Sequence, residues 1–149
     1  MASKLHLPFL EATRNVFQLM LDLTDIKDLP AEIFDGENEL DISIEIVGDM
    51  SGVVVYRFPQ KTSLNFVNIM SGMEIEEVDD FVVSAMSEIS NIISGNVMTM
   101  LAQDDLKCDI LPPQLYQADE TKTYSVRTSC CISTSAGDTC IDILLNPTK

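Results

Sequence analysis

Residues Asp80–Ala102 read DFVVSAMSEISNIISGNVMTMLA, and the spacing of their apolar side chains predicts one long helix. At about 100° per residue, one face of this helix is apolar and the opposite face is small and polar. The apolar face consists of Val82, Met86, Ile89, Ile93, Val97 and Met100. An apolar face needs a core to pack against, so we expect the rest of the chain to form a platform that leaves the other face outward.

The second face carries a polar strip, defined here as Ser84, Glu88, Asn91, Gly95 and Thr99. Glu88 and Asn91 are one helical turn apart and are therefore neighbours. Glycine inside a helix costs about 1 kcal/mol of stability relative to alanine. Close approach of another protein to this face would explain why Gly95 is present in spite of that cost. The small residues that keep the surface low are Ser84, Ser87, Ser94 and Gly95. The alternative is an ordinary solvated helix face, because a Glu-x-x-Asn pair alone arises readily by chance.

Length and composition indicate one globular domain over residues 1–149. Hydrophobic residues make up 46% and charged residues 22% of the chain, and no apolar run approaches the length of a membrane span. The first residues show no secretory signal, so we expect a cytoplasmic protein.

The charge balance excludes some classes of partner. Nine Lys and Arg against 24 Asp and Glu leave a formal charge of −15, which repels a nucleic-acid backbone. The same sign disfavours capture of small phosphorylated metabolites unless a metal or a partner supplies positive charge.

Metal-ligand patterns are also absent from the sequence. The four cysteines form no Cys-x-x-Cys pair and His6 is the single histidine, so no zinc site is expected. The acidic run 74–80 lacks the spacing of a calcium loop, and we interpret it as the start of the helix, capped by Asp79 or Asp80. We expect reduced thiols, with a Cys130–Cys140 bridge as the alternative.

The remaining patterns predict an α+β fold in which long helices pack on an antiparallel β-sheet. A helix is expected over about residues 8–23, followed by a loop at 30–39. The later elements are a hairpin at 40–46 and 53–58, a short helix ending at Gly72, an edge strand near 108–110 and a second hairpin within 124–145. Both halves run from a helix into a hairpin, which indicates a weak internal pseudo-symmetry.

The stretch Ser87–Asn96 resembles the phosphatases of bacterial chemotaxis, the CheC, CheX and FliY family. The resemblance extends to Leu7–Leu10, to the hairpin glycines Gly48 and Gly52, and to Ile69–Gly72, and so covers nearly the whole chain. It implies a CheC-like fold with the family's Glu-x-x-Asn motif on a long helix. One such motif per chain is typical of the CheX branch.

This resemblance implies an enzyme that hydrolyses the aspartyl phosphate of a CheY-like response regulator. Asn91 would position the attacking water, since its neutral amide both donates and accepts hydrogen bonds. Glu88 would pair with a regulator lysine and orient the complex, and Ser84, Ser87 and Gly95 would contact the partner. No cofactor is expected in this chain, whereas Mg²⁺ is expected in the regulator. The resemblance further implies a homodimer formed through β-strands.

Two other classes of function remain open at this point. No Ser, Cys or Asp nucleophile can be given a base, because His6 lies near the N-terminus, so a covalent mechanism is not expected. A non-catalytic regulator-docking or dimerisation module of the same fold would use the same helix without accelerating hydrolysis. A ligand-sensing domain would need a convergent polar pocket.

Overall fold

The computed structural model describes residues 5–36 and 38–148, and there it shows three helices and a seven-stranded antiparallel sheet. The α+β expectation is therefore confirmed. Within the described ranges no helix combines the length and apolar character needed to cross a bilayer. The elements are α1 His6–Leu21, β1 Lys27–Leu29, β2 Leu40–Gly48, β3 Met50–Phe58, α2 Gln60–Ser71, α3 Asp80–Gln103, β4 Cys108–Ile110, β5 Gln114–Leu115, β6 Val126–Thr134 and β7 Gly137–Pro147.

The strand order has the pseudo-symmetry that the two helix–hairpin halves suggest. The sheet runs β1-β6-β7-β3-β2-β4, with β5 also paired to β2. In the two halves, α1 corresponds to α3, β1 to β4, β2 to β6 and β3 to β7. When each element is replaced by its counterpart, the strand order is the same read in reverse. Each short strand that follows a long helix therefore pairs with the hairpin of the other half, so neither half forms its sheet alone.

The core lies between the helices and one face of the sheet, called here the inner face. Side chains alternate along each strand, so every second residue of β2, β3 and β7 points to α3. The largest buried side chains of this layer include Ile42, Ile44, Ile46, Tyr56, Phe58, Phe66 and Ile143. On α3 the predicted apolar residues are buried except Met100, which is half-buried, while Met98 and Leu101 are buried as well.

The first hairpin differs from its expected boundaries at its turn. The strands extend to Gly48 and resume at Met50, so Gly52 lies within β3 and not in the turn. A Cβ at Gly52 would lie 2.1 Å from the carbonyl oxygen of Leu144 on β7, and the residue has a φ of 150°. Glycine is needed here because β3 and β7 approach closely. Gly72 ends α2 with a φ of 71°, as predicted.

The outer face of the sheet carries an ion-pair cluster that contacts Phe34 and Glu39. Arg57 donates to both carboxylate oxygens of Glu39, at 3.1 and 2.7 Å, and its Nη1 lies 3.6 Å from Asp142. Its guanidinium carbon lies 5.0 Å from the ring centroid of Phe34. Asp41 is next to this cluster, where burial and then the Glu39 carboxylate raise its pKa to about 7, opposed by Arg57.

The expectation of four reduced thiols is wrong for Cys131 and Cys140, and the alternative Cys130–Cys140 bridge is wrong in its pairing. A disulfide joins Cys131 and Cys140, which are direct cross-strand partners with Cα atoms 4.0 Å apart. Cys130 cannot take that place, because alternation along β6 points it to the opposite face of the sheet. Cys108 and Cys130 are free thiols, and burial raises the pKa of Cys130 to about 12, which keeps it protonated and unreactive.

We expect Asp41→Asn to flatten the pH dependence of stability. The pKa of Asp41 is about 7 in the folded protein against an ordinary 3.8, so the folded state holds a proton that the unfolded chain releases. The free energy of unfolding should therefore fall as the pH rises from about 4 to about 7. Urea unfolding across that interval measures the slope.

The matched control is Asp109→Asn, which removes an exposed carboxylate from β4. It should keep the slope of the unmodified protein. An Asp41→Asn protein with the same slope as this control would show that Asp41 titrates alike in the folded and unfolded states.

Candidate functional site

The central helix α3 begins where the acidic run predicts. Asp79 is the N-cap residue, and its Oδ1 accepts a hydrogen bond of 3.0 Å from the backbone N–H of Val82. Asp80 lies in the first turn, where a carboxylate interacts favourably with the positive end of the helix dipole. The acidic residues therefore define the start of the helix on which Glu88 and Asn91 lie.

A buried hydrogen bond fixes the rotation of α3 about its axis. The hydroxyl groups of Tyr56 on β3 and Ser94 on α3 lie 2.6 Å apart, and both side chains are fully buried. Burial raises the pKa of Tyr56, so its hydroxyl stays protonated. This position corrects one sequence-based expectation, since Ser94 belongs to the core and does not contribute to the low outer surface. The helical period places it on the sheet side, about 60° from Asn91.

Glu88 and Asn91 both lie on the outward side of α3. Glu88 is exposed and Asn91 is half-buried, and no hydrogen bond or ion pair joins either side chain to another residue within 5–36 or 38–148. Ser84 and Thr99 are also exposed, as expected for the polar strip. A carboxylate and a carboxamide are thus held one helical turn apart with their polar groups available to a partner.

The surface between these side chains is low. Ser87 and Gly95 are half-buried, and a Cβ built on Gly95 would meet nothing within 4 Å. Packing within the chain therefore does not explain a glycine at this position. The Thr99 hydroxyl donates a hydrogen bond of 3.3 Å to the carbonyl oxygen of Gly95.

One residue of this face was missed in the sequence reasoning. Phe81 is 47% exposed at the start of α3 and lies seven residues before Glu88. Seven residues at about 100° each return to within about 20° of the same direction. The heptad spacing of Phe81, Glu88 and Gly95 was the signal that could have identified it.

The site is a ledge and not a pocket. A polar groove of about 1130 Å³ lies between the outer face of the sheet and residues 111–124. A shallower groove lies beside α2. Neither groove is lined by Glu88 or Asn91. In the described part of the chain no three His, Cys, Asp or Glu side chains are grouped as metal ligands. The ledge is therefore suited to the surface of another protein.

We expect Gly95→Ala to stabilise the isolated protein by up to about 1 kcal/mol, because the added methyl group meets no atom and alanine favours the helix. Urea unfolding measures the change. Gly52→Ala is the contrasting control and should destabilise, since its Cβ would clash with β7. A destabilising Gly95→Ala substitution would mean that the glycine serves the fold itself.

Comparison with known proteins agrees with this geometry. The family model described as chemotaxis phosphatase CheX matches residues 42–135, which include all of the polar strip. The CheY-P phosphatase CheX of Thermotoga maritima is 31% identical over 83 residues, which are 55% of this chain and 54% of that protein. The chain thus aligns with about half the length of this curated relative.

Two crystal structures show the same fold. Chemotaxis protein CheX from Vibrio vulnificus has a TM-score of 0.83 at 20% identity, covering 98% of this chain and 99% of that one. The chain from the CheX-CheY-BeF3-Mg²⁺ complex of Borrelia burgdorferi has a TM-score of 0.72 at 20% identity, covering 93% and 96%. With the family model matched over more than half of its length, this chain belongs to the CheX family of chemotaxis phosphatases.

Proposed function

We propose that this chain acts as a single domain that hydrolyses the aspartyl phosphate of a CheY-like response regulator. The observation that carries the proposal is the outward pair of Glu88 and Asn91, which has no partner among the described residues and lies on the long helix of a CheX-family fold. The similar Thermotoga protein is a CheY-P phosphatase, and the similar Borrelia chain forms a complex with CheY. Both relatives support a regulator as the substrate.

Asn91 is the proposed positioning group for the attacking water. Acyl-phosphate hydrolysis needs a water in line with the phosphorus atom, and holding it there replaces a costly encounter with a prepared geometry. A carboxamide can accept from the water and donate to a phosphoryl oxygen without adding negative charge beside an anion. Its half-buried stem restricts its rotamers, so less entropy is lost when it engages the reaction centre.

Glu88 is the proposed docking group. Its carboxylate is exposed one turn before Asn91, so an ion pair with a regulator lysine would align Asn91 with the phosphate. A carboxylate acting as the base would instead meet the repulsion of the phosphoryl group at close range. Ser84, Ser87 and Gly95 leave the partner's backbone room to approach on either side of that pair.

The metal requirement falls on the partner in this proposal. Mg²⁺ carried by the regulator would neutralise charge on the transferring phosphoryl group. The residues of this chain then only bind, orient and hold the water. A strongly acidic protein can perform these tasks, because the phosphate arrives inside a folded partner and is not captured from solution.

The experiment is dephosphorylation of a panel of CheY-like regulators, phosphorylated in vitro and followed in the presence of Mg²⁺. Asn91→Ala should reduce kcat about 100-fold with little change in KM, because it removes only water positioning. Glu88→Lys should raise KM at least about tenfold, because it places like charges opposite each other.

Matched controls come from the same chain. Asn96→Ala removes an exposed amide turned about 140° away from Asn91 around the helix, and Glu120→Lys reverses an exposed charge beside the groove on the outer face of the sheet. Both should keep the unmodified rates. Regulator binding with no acceleration would identify the non-catalytic docking module instead.

We further propose a homodimer formed through the β4–β5 edge of the sheet. Among the described residues neither strand pairs on its far side, and an unpaired edge readily accepts another strand. Leu111 and Leu115 are exposed along this edge, and Val47 is exposed beside it on β2. Apolar exposure at an unpaired edge favours association with a second copy.

Sedimentation or light scattering should therefore give twice the chain mass of 16.5 kDa at micromolar concentration. Leu111→Glu with Leu115→Glu should return the protein to the single-chain mass, because charges would then face each other across the edge. Leu19→Glu on α1, where Leu19 is 85% exposed, is the control and should stay dimeric. A strictly monomeric unmodified protein would contradict the proposed assembly.

A further inference from the structure

Phe81 is an aromatic side chain that the fold does not use. It is 47% exposed in the first turn of α3 and belongs neither to the buried core nor to the half-buried residues packed against it. The N-cap bond joins the Asp79 side chain to the backbone N–H of Val82 and does not involve the Phe81 ring. Large exposed aromatic groups are frequent anchors of protein interfaces.

The position of Phe81 connects it to the candidate site. Phe81, Glu88 and Gly95 are spaced by seven residues and lie on one line along the outer side of α3. A rise of 1.5 Å per residue places Phe81 about 10 Å before Glu88 along the helix axis. A single protein surface laid along the polar strip would therefore meet the ring and the carboxylate together.

The charges around Phe81 restrict the chemistry of that surface. Five carboxylates lie in the segment before the ring, all of them exposed: Glu74, Glu76, Glu77, Asp79 and Asp80. The sequence has no Lys, Arg or His between Lys61 and Lys107, so nothing along this stretch offsets them. The same acidic surface of a second copy would be repelled at this position, whereas a partner with lysines around an apolar recess would be attracted.

We propose that Phe81 is the apolar anchor through which the phosphorylated response regulator docks on α3, inserting into a recess that basic side chains surround. This inference rests on the function proposed above and adds a division of work to it. Phe81 and Glu88 supply affinity from two points about two helical turns apart. Asn91 supplies hydrolysis once these two contacts hold the complex together.

The test separates affinity from hydrolysis. The probe is the regulator that the phosphatase assay identifies, used as its BeF3⁻–Mg²⁺ form for Kd and as its phosphorylated form for KM and kcat. Phe81→Ala should raise Kd and KM at least about tenfold and leave kcat within about twofold, since anchors at interface centres contribute most of the binding. Phe81→Leu should recover part of the affinity, because it restores apolar volume.

Two controls test the specificity of the effect. Ile33→Ala removes an exposed apolar side chain from the loop on the outer face of the sheet and should leave Kd unchanged. Urea unfolding of Phe81→Ala should give the unmodified midpoint, because the ring lies outside the core. If that midpoint falls, the Kd values of Phe81→Leu and Phe81→Gln are compared instead, under conditions in which the two variants are equally stable. Only the leucine variant should then bind the regulator tightly.

The outcomes distinguish this inference from the proposed function. A regulator that binds this protein but is not dephosphorylated faster would overturn the phosphatase proposal. The Kd of that regulator for the Phe81→Ala protein would still test whether Phe81 is the anchor. Unchanged Kd and KM for Phe81→Ala would overturn the anchor, even if Asn91→Ala lowers kcat as predicted. If Phe81→Ala dissociates a dimer into single chains but keeps its affinity for the regulator, the ring belongs to an interface between copies. That result would also overturn the proposal that Phe81 anchors the regulator.

Discussion

The structure depends on the burial of one face of α3 against the inner face of the sheet. Val82, Met86, Ile89, Ile93 and Val97 are all at most 1% exposed, and each buried aliphatic side chain contributes about 1.5–3 kcal/mol relative to an exposed one. Rotating the helix by a fraction of a turn would expose several of them at once. The same constraint that stabilises the fold therefore directs Glu88 and Asn91 toward solvent and fixes the backbone that carries them.

The Tyr56–Ser94 hydrogen bond adds specificity to this packing. Apolar side chains alone tolerate small rotations and shifts, whereas separating two buried hydroxyl groups leaves both unsatisfied at a cost of about 1–3 kcal/mol each. Ser94 is adjacent to Gly95 and lies one turn after Asn91. The bond therefore fixes the position of α3 against β3 at the level of the candidate site, where the proposed positioning of a water by Asn91 would be most sensitive to displacement.

The charge of the chain is consistent with a reaction centre that two proteins complete together. An enzyme with a net charge of −15 is poorly suited to attract a free phosphate, yet its acidic surface attracts a basic docking face. The ledge holds an amide, a carboxylate and an aromatic ring, and among residues 5–36 and 38–148 no cluster of metal ligands is found. In the proposed function, this protein would bind and orient, and its partner would carry the metal and the phosphoryl group.

The sequence by itself determined the helices and the long strands, a cap for α3 at Asp79 or Asp80 and the outward face of Glu88 and Asn91, because helical and strand periods depend only on local backbone geometry. It missed the short strand β1, the burial of Ser94 and the pairing of Cys131 with Cys140. Those features depend on strand register and on which face of the sheet meets a helix, and both are set by contacts between residues far apart in the chain. The crossed sheet order was likewise decided only by tertiary structure, because each half supplies the edge strand of the other.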